Sequence, residues 1–300
     1  MARARPAAAA DGEPGRIAIA HRVMTARQQL LAAGISSDSA DLDARLLAQH
    51  LLGWTTDRFL MASDQLEPDG FGAAYEALIR RRCTREPLAY IVGHREFWGL
   101  DIEVTPAVLI PRPETELLVE AFLEQFPGTR DRLAVADICT GSGCVAVAIA
   151  RERPGAQVLA TDISARALAI ARRNARRHDV AGPVQFVCAD LLRGIAGQFD
   201  AIVANPPYVP QGARPALSPE VGRHEPAVAL FAGDDGLAVI ERLAAQAAGR
   251  LRKGGVLMFE FGYDHSEAVT QVILSTPGLE LLTLRQDLQG IPRVAVVLGA

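Results

Sequence analysis

An excess of basic residues is missing from this chain, whose formal net charge is −4 and whose pI is near 5.9. Tight, non-specific nucleic-acid binding runs on surplus Lys and Arg, so no direct nucleic-acid partner is expected. Cysteine is scarce and scattered: Cys83, Cys139, Cys144 and Cys188 form no pair with zinc-ligand spacing. They read as reduced, buried thiols of a cytosolic protein. The six histidines are equally dispersed, so no metal centre is expected. No apolar run approaches the length of a membrane span. Residues 1–16 lack the apolar core of a signal peptide and carry Asp11 and Glu13, and read as a disordered tail. No internal repeat is visible. What remains is an ordinary globular composition, 49% hydrophobic and 22% charged, long enough for one large domain and a smaller one.

Residues 17–86 have helical periodicity. One helix is expected over Ile17–Ala33, stopping at Gly34; a second starts at Ser37 or Asp38 and ends at Gly53-Trp54; a third runs from Asp69 to Arg82. Arg80-Arg81-Arg82 reads as a solvated helix end beside the negative pole of its dipole. Residues 87–108 carry two short apolar runs, 88–93 and 97–104, around His94-Arg95-Glu96, which predicts a β-hairpin linker. From 109 to 300 a helix at 117–126 is followed by alternating strands and helices, the mark of a parallel sheet covered on both faces. The last two strands, 279–284 and 294–298, are joined by too short a connection for a helical crossover and should be antiparallel. The fold class is α/β.

Two segments carry chemistry. Strand 199–204 runs into Asn205-Pro206-Pro207-Tyr208. Consecutive prolines have no N–H and a fixed φ, so the backbone there offers carbonyl acceptors without competing donors. Asn205 adds a side-chain carbonyl and Tyr208 a flat aromatic face. Together they suit a planar group ending in NH₂, such as an amide or the exocyclic amine of a nucleobase. The second segment is strand 133–138, then Cys139-Thr140-Gly141-Ser142-Gly143, then a helix. Glycines at a strand-to-helix turn admit a ligand close to the backbone. Strand 157–162 ends in Asp162, about twenty residues on, where a doubly wound fold places the carboxylate that binds ribose hydroxyls. Asp162 reads equally as the N-cap of the next helix. The turn lacks the third glycine of a dinucleotide fingerprint, and no lysine follows, which excludes a P-loop. The glycine turn, the acid and the Asn-Pro-Pro-Tyr run together resemble the class I S-adenosylmethionine-dependent methyltransferases.

Six runs occur in the order seen in the PrmC (HemK) family: Glu86-Pro87-Leu88-Ala89-Tyr90, Arg95-Glu96-Phe97-Trp98-Gly99, Leu109-Ile110-Pro111-Arg112-Pro113-Glu114-Thr115-Glu116, the glycine turn, Asn205-Pro206-Pro207-Tyr208, and Arg223-His224-Glu225-Pro226. From residue 17 to the C-terminus the chain resembles that family, the N5-glutamine methyltransferases of peptide chain release factors. The resemblance implies a Rossmann-like, seven-stranded, mostly parallel sheet with an antiparallel last strand. It also implies a small N-terminal helical domain that docks the release factor, and a cytoplasmic, monomeric enzyme. The implied substrate is the glutamine of the Gly-Gly-Gln motif in class-I release factors. Two other acceptors stay open: a glutamine of a large-subunit ribosomal protein, whose methylating family shares the C-T-G-S-G-C wording, and adenine N6, gripped by the same tetrapeptide after base flipping.

The resemblance places S-adenosylmethionine on residues 139–143 (Cys139, Thr140, Gly141, Ser142, Gly143), Asp162, Asp190, Leu191 and Asn205. Asp190 would accept from the adenine amine, or cap a turn. Asn205 and the Pro206 carbonyl are the expected catalytic groups. Pro207, Tyr208 and Phe97 join them around the substrate, Phe97 reading equally as an apolar hairpin contact. Asp137 is expected to order the glycine turn, and Glu225 to brace the loop after the tetrapeptide. Many relatives have glycine where this chain has Cys139, which puts one contact near the methionine end in question.

Overall fold

A computed structural model describes residues 16–129 and 132–300. All but Arg16 of the expected tail lies outside the described residues. The chain divides into two compact units between Val92 and Gly93.

The first unit is helical: α1 (Ile19–Ala32), α2 (Ser37–Leu52), α3 (Thr56–Ala62), α4 (Phe71–Cys83) and α5 (Leu88–Val92). Its core is drawn from one face of each helix, with Leu30, Leu47, Tyr75 and Ile79 enclosed. Three expectations are corrected here. The sequence reading passed over α3, which Thr55 caps by accepting from Arg58 N. The run 88–92 is helix and not strand; five apolar residues have no decisive period, and Pro87 before them with Gly93 (φ 86°) after them favours one helical turn. Arg82 is not a solvated helix end: it is 5% exposed and pairs with the buried Asp43 at 2.7 Å.

The second unit opens with a hairpin, β1 (His94–Phe97) and β2 (Leu100–Glu103). Its turn is Trp98-Gly99, not residues 94–96, and both turn residues have positive φ (55° and 68°), as a two-residue hairpin requires. A 3₁₀ turn (Pro113–Thr115) leads into α6 (Glu116–Gln125). Then follow β3 (Ala134–Ile138), α7 (Cys144–Glu152), β4 (Gln157–Asp162), α8 (Ala165–Arg177), β5 (Val184–Cys188), β6 (Phe199–Ala204), α9 (Pro219–His224), α10 (Ala238–Ala248), β7 (Leu251–Glu260), α11 (Ser266–Ser275), β8 (Leu279–Gln286) and β9 (Pro292–Gly299). The seven-stranded sheet has the order β5-β4-β3-β6-β7-β9-β8. Strands β5 to β7 are parallel, and β9 is antiparallel to both β7 and β8. Helix α7 is buried from Cys144 to Ala150, apolar all round as an internal helix must be.

The strand order reverses between β3 and β6, which are direct neighbours. At such a switch point the connections leave in opposite directions and open a crevice at the carboxyl ends of the strands. The glycine turn leaves β3 and Asn205 leaves β6, so both motifs stand on this crevice. Among the described residues no helix is long and apolar enough to cross a membrane.

Candidate active site

The glycine turn is built from backbone geometry that most side chains resist. Cys139, Gly141 and Gly143 have φ of 59°, 55° and 81°. A Cβ on Gly143 would lie 2.9 Å from Ala171 Cβ, so glycine there lets α7 and α8 approach. Asp137 is 2% exposed and accepts from the Thr140 hydroxyl, closing the turn from beneath. Burial pushes its carboxyl up to about 7, against the pull of Thr140 and the Ala146 amide. Asn174 on α8 is fully buried: its Nδ2 donates to Ser142 O (2.8 Å) and Glu103 O (3.0 Å), and its Oδ1 accepts from Glu103 N (2.8 Å). One side chain therefore anchors the turn and the end of the hairpin to the same helix.

Asp162 ends β4 on the cleft. Its two oxygens accept from Gly141 N (2.9 Å) and Ser164 N (2.8 Å). It is not the N-cap of α8; that is Ser164, whose hydroxyl accepts from Ala167 N. Burial raises the Asp162 carboxyl, and those two amides oppose the shift.

Of the residues expected at the site, the cleft is lined by Cys139, Thr140, Gly141, Ser142, Asp162, Asp190, Leu191, Asn205 and Pro207. Gly143 lies behind the turn, in the packing of α7 on α8. Pro206 is buried. Tyr208 lies beneath the cleft, packed on the sheet core, with its hydroxyl donating to Glu260 Oε1 at 2.9 Å. Phe97 is 1% exposed at the end of β1 and does not line the cleft. Asp190 faces the cleft with its carboxylate on Arg242. Of the four thiols only Cys144 is buried; Cys83 and Cys139 are half-buried and Cys188 is exposed, because β5 is the sheet's edge.

Sequence reasoning missed part of the lining. Ala107 to Leu109 and Pro111 come from the segment after the hairpin, Val228, Ala229 and Phe231 from the segment after α9, and Val239 and Arg242 from α10. The stretch 107–111 overlaps the Leu109-to-Glu116 run and 228–231 follows the Arg223-to-Pro226 run, which was the available signal. Glu260 was missed altogether. It stands at the end of β7, next to the Ala204–Phe259 register pair, which sets it beside Asn205. It is 2% exposed and accepts from Thr115 Oγ1 at 2.7 Å, and Thr115 accepts from Asn205 Nδ2 at 3.0 Å. Burial raises the Glu260 carboxyl; Thr115 and Tyr208 pull it down, Glu114 pushes it up and Arg293 lowers it.

The tetrapeptide is held from behind. Val209 N donates to Leu230 O (2.8 Å) and Ala232 N to Val209 O (3.0 Å). Gly236 (φ 80°) sits so close to Tyr208 that a Cβ would be 2.3 Å from its carbonyl oxygen.

A seven-stranded sheet of reversed order with antiparallel β9 set between β7 and β8, and a glycine turn and an acid at its switch point, has the class I methyltransferase architecture. A methyltransferase from Pyrococcus furiosus shares this fold, with a TM-score of 0.50 at 21% identity, covering 73% of this chain and 98% of that one. The family model for the methyltransferase small domain matches residues 113–219, and that for the PrmC N-terminal domain matches residues 23–93. A release factor glutamine methyltransferase from Rhodospirillum rubrum is 39% identical over 284 residues, covering 95% of this chain and 86% of that protein. The protein of that description from Mycolicibacterium smegmatis is 43% identical over 273 residues, covering 90% and 94%. The chain belongs to the release factor glutamine methyltransferase family. It is a protein-glutamine methyltransferase.

Proposed function

We propose that this chain transfers a methyl group from S-adenosylmethionine to the N5 amide nitrogen of the glutamine in the Gly-Gly-Gln motif of class-I release factors. The observation that carries this is the setting of Asn205. It lines the cleft at the switch point while its NH₂ donates to Thr115 at 3.0 Å, which leaves its carbonyl for a ligand's N–H. S-adenosylmethionine supplies a sulfonium methyl, an electrophile with a neutral leaving group. The positive-φ turn at 139–143 offers backbone close to that ligand, Asp162 a carboxylate for its ribose, and Asp190 and Leu191 the adenine end.

An amide nitrogen is a poor nucleophile, because its lone pair is delocalised into the carbonyl. The protein's task is therefore to aim it. Orientation of this kind contributes ~7–11 kcal/mol to reactions brought into one site. The carbonyls of Asn205 and Pro206 hold the two N–H bonds and line the nitrogen up with the methyl. Positive charge grows on nitrogen as the new C–N bond forms, so both hydrogen bonds strengthen towards the transition state. The N-methylated amide then loses one of its nitrogen-bound protons to solvent, and no strong base is required beforehand. Pro207 walls the slot on the cleft side. The helical unit, with Met24, Leu60 and Met61 more than half exposed, is the surface that receives the release factor. The enzyme works in the cytoplasm, where its substrate is used.

Incubation with labelled S-adenosylmethionine and a purified class-I release factor tests the reading. Label is expected on the Gly-Gly-Gln protein and not on a Gly-Gly-Ala control. Asn205→Ala is expected to abolish transfer while S-adenosylmethionine still binds in calorimetry. Full activity in that variant, or label in the control, refutes the proposal.

A further inference from the structure

Both oxygens of Glu260 are taken by hydroxyl donors, Thr115 on Oε2 at 2.7 Å and Tyr208 on Oε1 at 2.9 Å. Thr115 is itself 2% exposed, and its oxygen accepts from Asn205 Nδ2 at 3.0 Å. Residues 90 and 145 positions from Thr115 thus converge on one hydroxyl. The connection has a direction. With both Glu260 oxygens accepting from hydroxyls, Thr115 gives its one hydrogen to Oε2 and turns a lone pair towards Asn205 Nδ2. Only the NH₂ edge of the Asn205 amide can meet that lone pair. Were the amide flipped, its carbonyl would face the Thr115 oxygen, acceptor against acceptor, and its NH₂ would face the slot.

We infer that Glu260 and Thr115 are positioning residues for methyl transfer: together they dictate which edge of the Asn205 amide meets the substrate. Tyr208 ties the far end of the tetrapeptide to the same carboxylate. An Asn205 turned the wrong way presents N–H groups to the N–H groups of the incoming amide and cannot hold it. This inference rests on the role proposed above for Asn205. It differs from a purely structural reading of Glu260, in which the buried carboxylate only pins the ends of β6 and β7. That reading predicts lost stability with the chemical step intact.

Paired variants separate the two. Thr115→Val keeps the shape and removes the hydroxyl; Thr115→Ser keeps the hydroxyl and removes a methyl. With a purified release factor as substrate, Thr115→Val is expected to lower kcat by about 10²-fold, the cost of misaiming a reacting group. Its KM for release factor and its calorimetric Kd for S-adenosylmethionine should stay within about threefold, since neither reports the chemical step. Thr115→Ser should keep kcat within about fivefold of the parent, because the hydroxyl alone carries the direction. Glu260→Gln can turn its own NH₂ to Thr115 and release the constraint, so an intermediate loss of about tenfold is expected. A Thr115→Val enzyme within twofold of the parent kcat overturns the inference. So does an equal kcat loss in Thr115→Ser and Thr115→Val. Should Thr115→Val not fold, Thr115→Ser and Glu260→Gln decide: full kcat in Glu260→Gln, or a 10²-fold loss in Thr115→Ser, overturns it. Asn205→Ala keeps the two levels apart. If it is inactive while Thr115→Val is fully active, only this inference fails; if it is active, the underlying reading fails first.

Discussion

Glu225 accepts from the Arg112 guanidinium at 2.5 Å through one oxygen and from the Ile110 amide at 3.3 Å through the other. Its side chain is 1% exposed and that of Arg112 is 32% exposed. One carboxylate therefore ties together the two segments, around 107–111 and 226–231, that line the outer part of the cleft. Glu225→Ala frees both and leaves Arg112 without its partner. A fully buried broken pair costs about 3–5 kcal/mol, and the exposure of Arg112 brings the expected loss down to about 2 kcal/mol. The KM for S-adenosylmethionine should rise about tenfold as the walls of its cleft loosen, with a smaller change in kcat. Urea unfolding and steady-state kinetics check the two numbers; an unchanged KM would show that the tie does not shape the cleft.

Gly236 controls the tetrapeptide from behind. Its φ of 80° disfavours any side chain, and an added Cβ would stand 2.3 Å from Tyr208 O and 2.8 Å from His265 Cε1. Backbone cannot give way as a flexible side chain can. Gly236→Ala should cost about 2–4 kcal/mol of stability, from the left-handed conformation and the overlap together. It should also lower kcat by more than tenfold, because Tyr208 and Asn205 share one short stretch of chain. A variant with unaltered kcat would mean that the tetrapeptide tolerates displacement.

The parts of this molecule legible in its sequence were those written in contiguous residues. Strand β6 with Asn205-Pro206-Pro207-Tyr208, and β3 with the glycine turn, combine an apolar run with a punctuated turn, and local physics interprets both. The antiparallel β8–β9 pair followed from a connection too short for a crossover. Pairings across the chain were not legible. Arg82 looked solvated because its partner, Asp43, is 39 residues away on another helix. Glu260 looked like the end of one more strand until the β6–β7 register set it beside Asn205. Phe97 sat in a recognisable run, but the left-handed Trp98-Gly99 turn, which decides where its ring goes, depends on backbone angles that no periodicity encodes.

The thiols should differ sharply in reactivity. Burial, with Asp162, Asp137 and Asp190 nearby, pushes the Cys139 thiol far above its ordinary value. Burial pushes Cys144 up to about 12, and burial also raises Cys83. Thiolate is the reactive form, so these three should alkylate slowly near neutral pH. Cys188 is exposed at the sheet edge and should react first with iodoacetamide, as peptide mapping can show. Cys139→Gly removes a left-handed non-glycine residue worth about 1–2 kcal/mol and loses a half-buried side chain of similar value. Its stability should therefore stay within about 1 kcal/mol of the parent. Rapid modification of Cys139 in the folded protein would show that its surroundings do not hold its thiol protonated near neutral pH.

Asp137 should make stability depend on pH in an unusual sense. Its carboxyl titrates at about 7 in the folded protein against an ordinary value of 3.8. Between those values the native chain holds a proton that the unfolded chain has released. Stability is then greatest below the unfolded value, falls as pH rises through the window, and levels off above about 7. The contribution is on the order of 4 kcal/mol, from about 1.36 kcal/mol per pH unit across the window. Asp162, Glu225 and Glu260 are also raised by burial and act in the same sense, so the parent profile alone does not isolate Asp137. Asp137→Asn does. Its carbonyl can still accept from Thr140, and it has no proton to release. Urea unfolding across pH 5 to 8 should give a visibly flatter profile for Asp137→Asn than for the parent, even if the variant is less stable at acid pH. Parallel profiles would mean that the folded carboxyl is already ionised at the acid end, and that Thr140 and the Ala146 amide outweigh its burial.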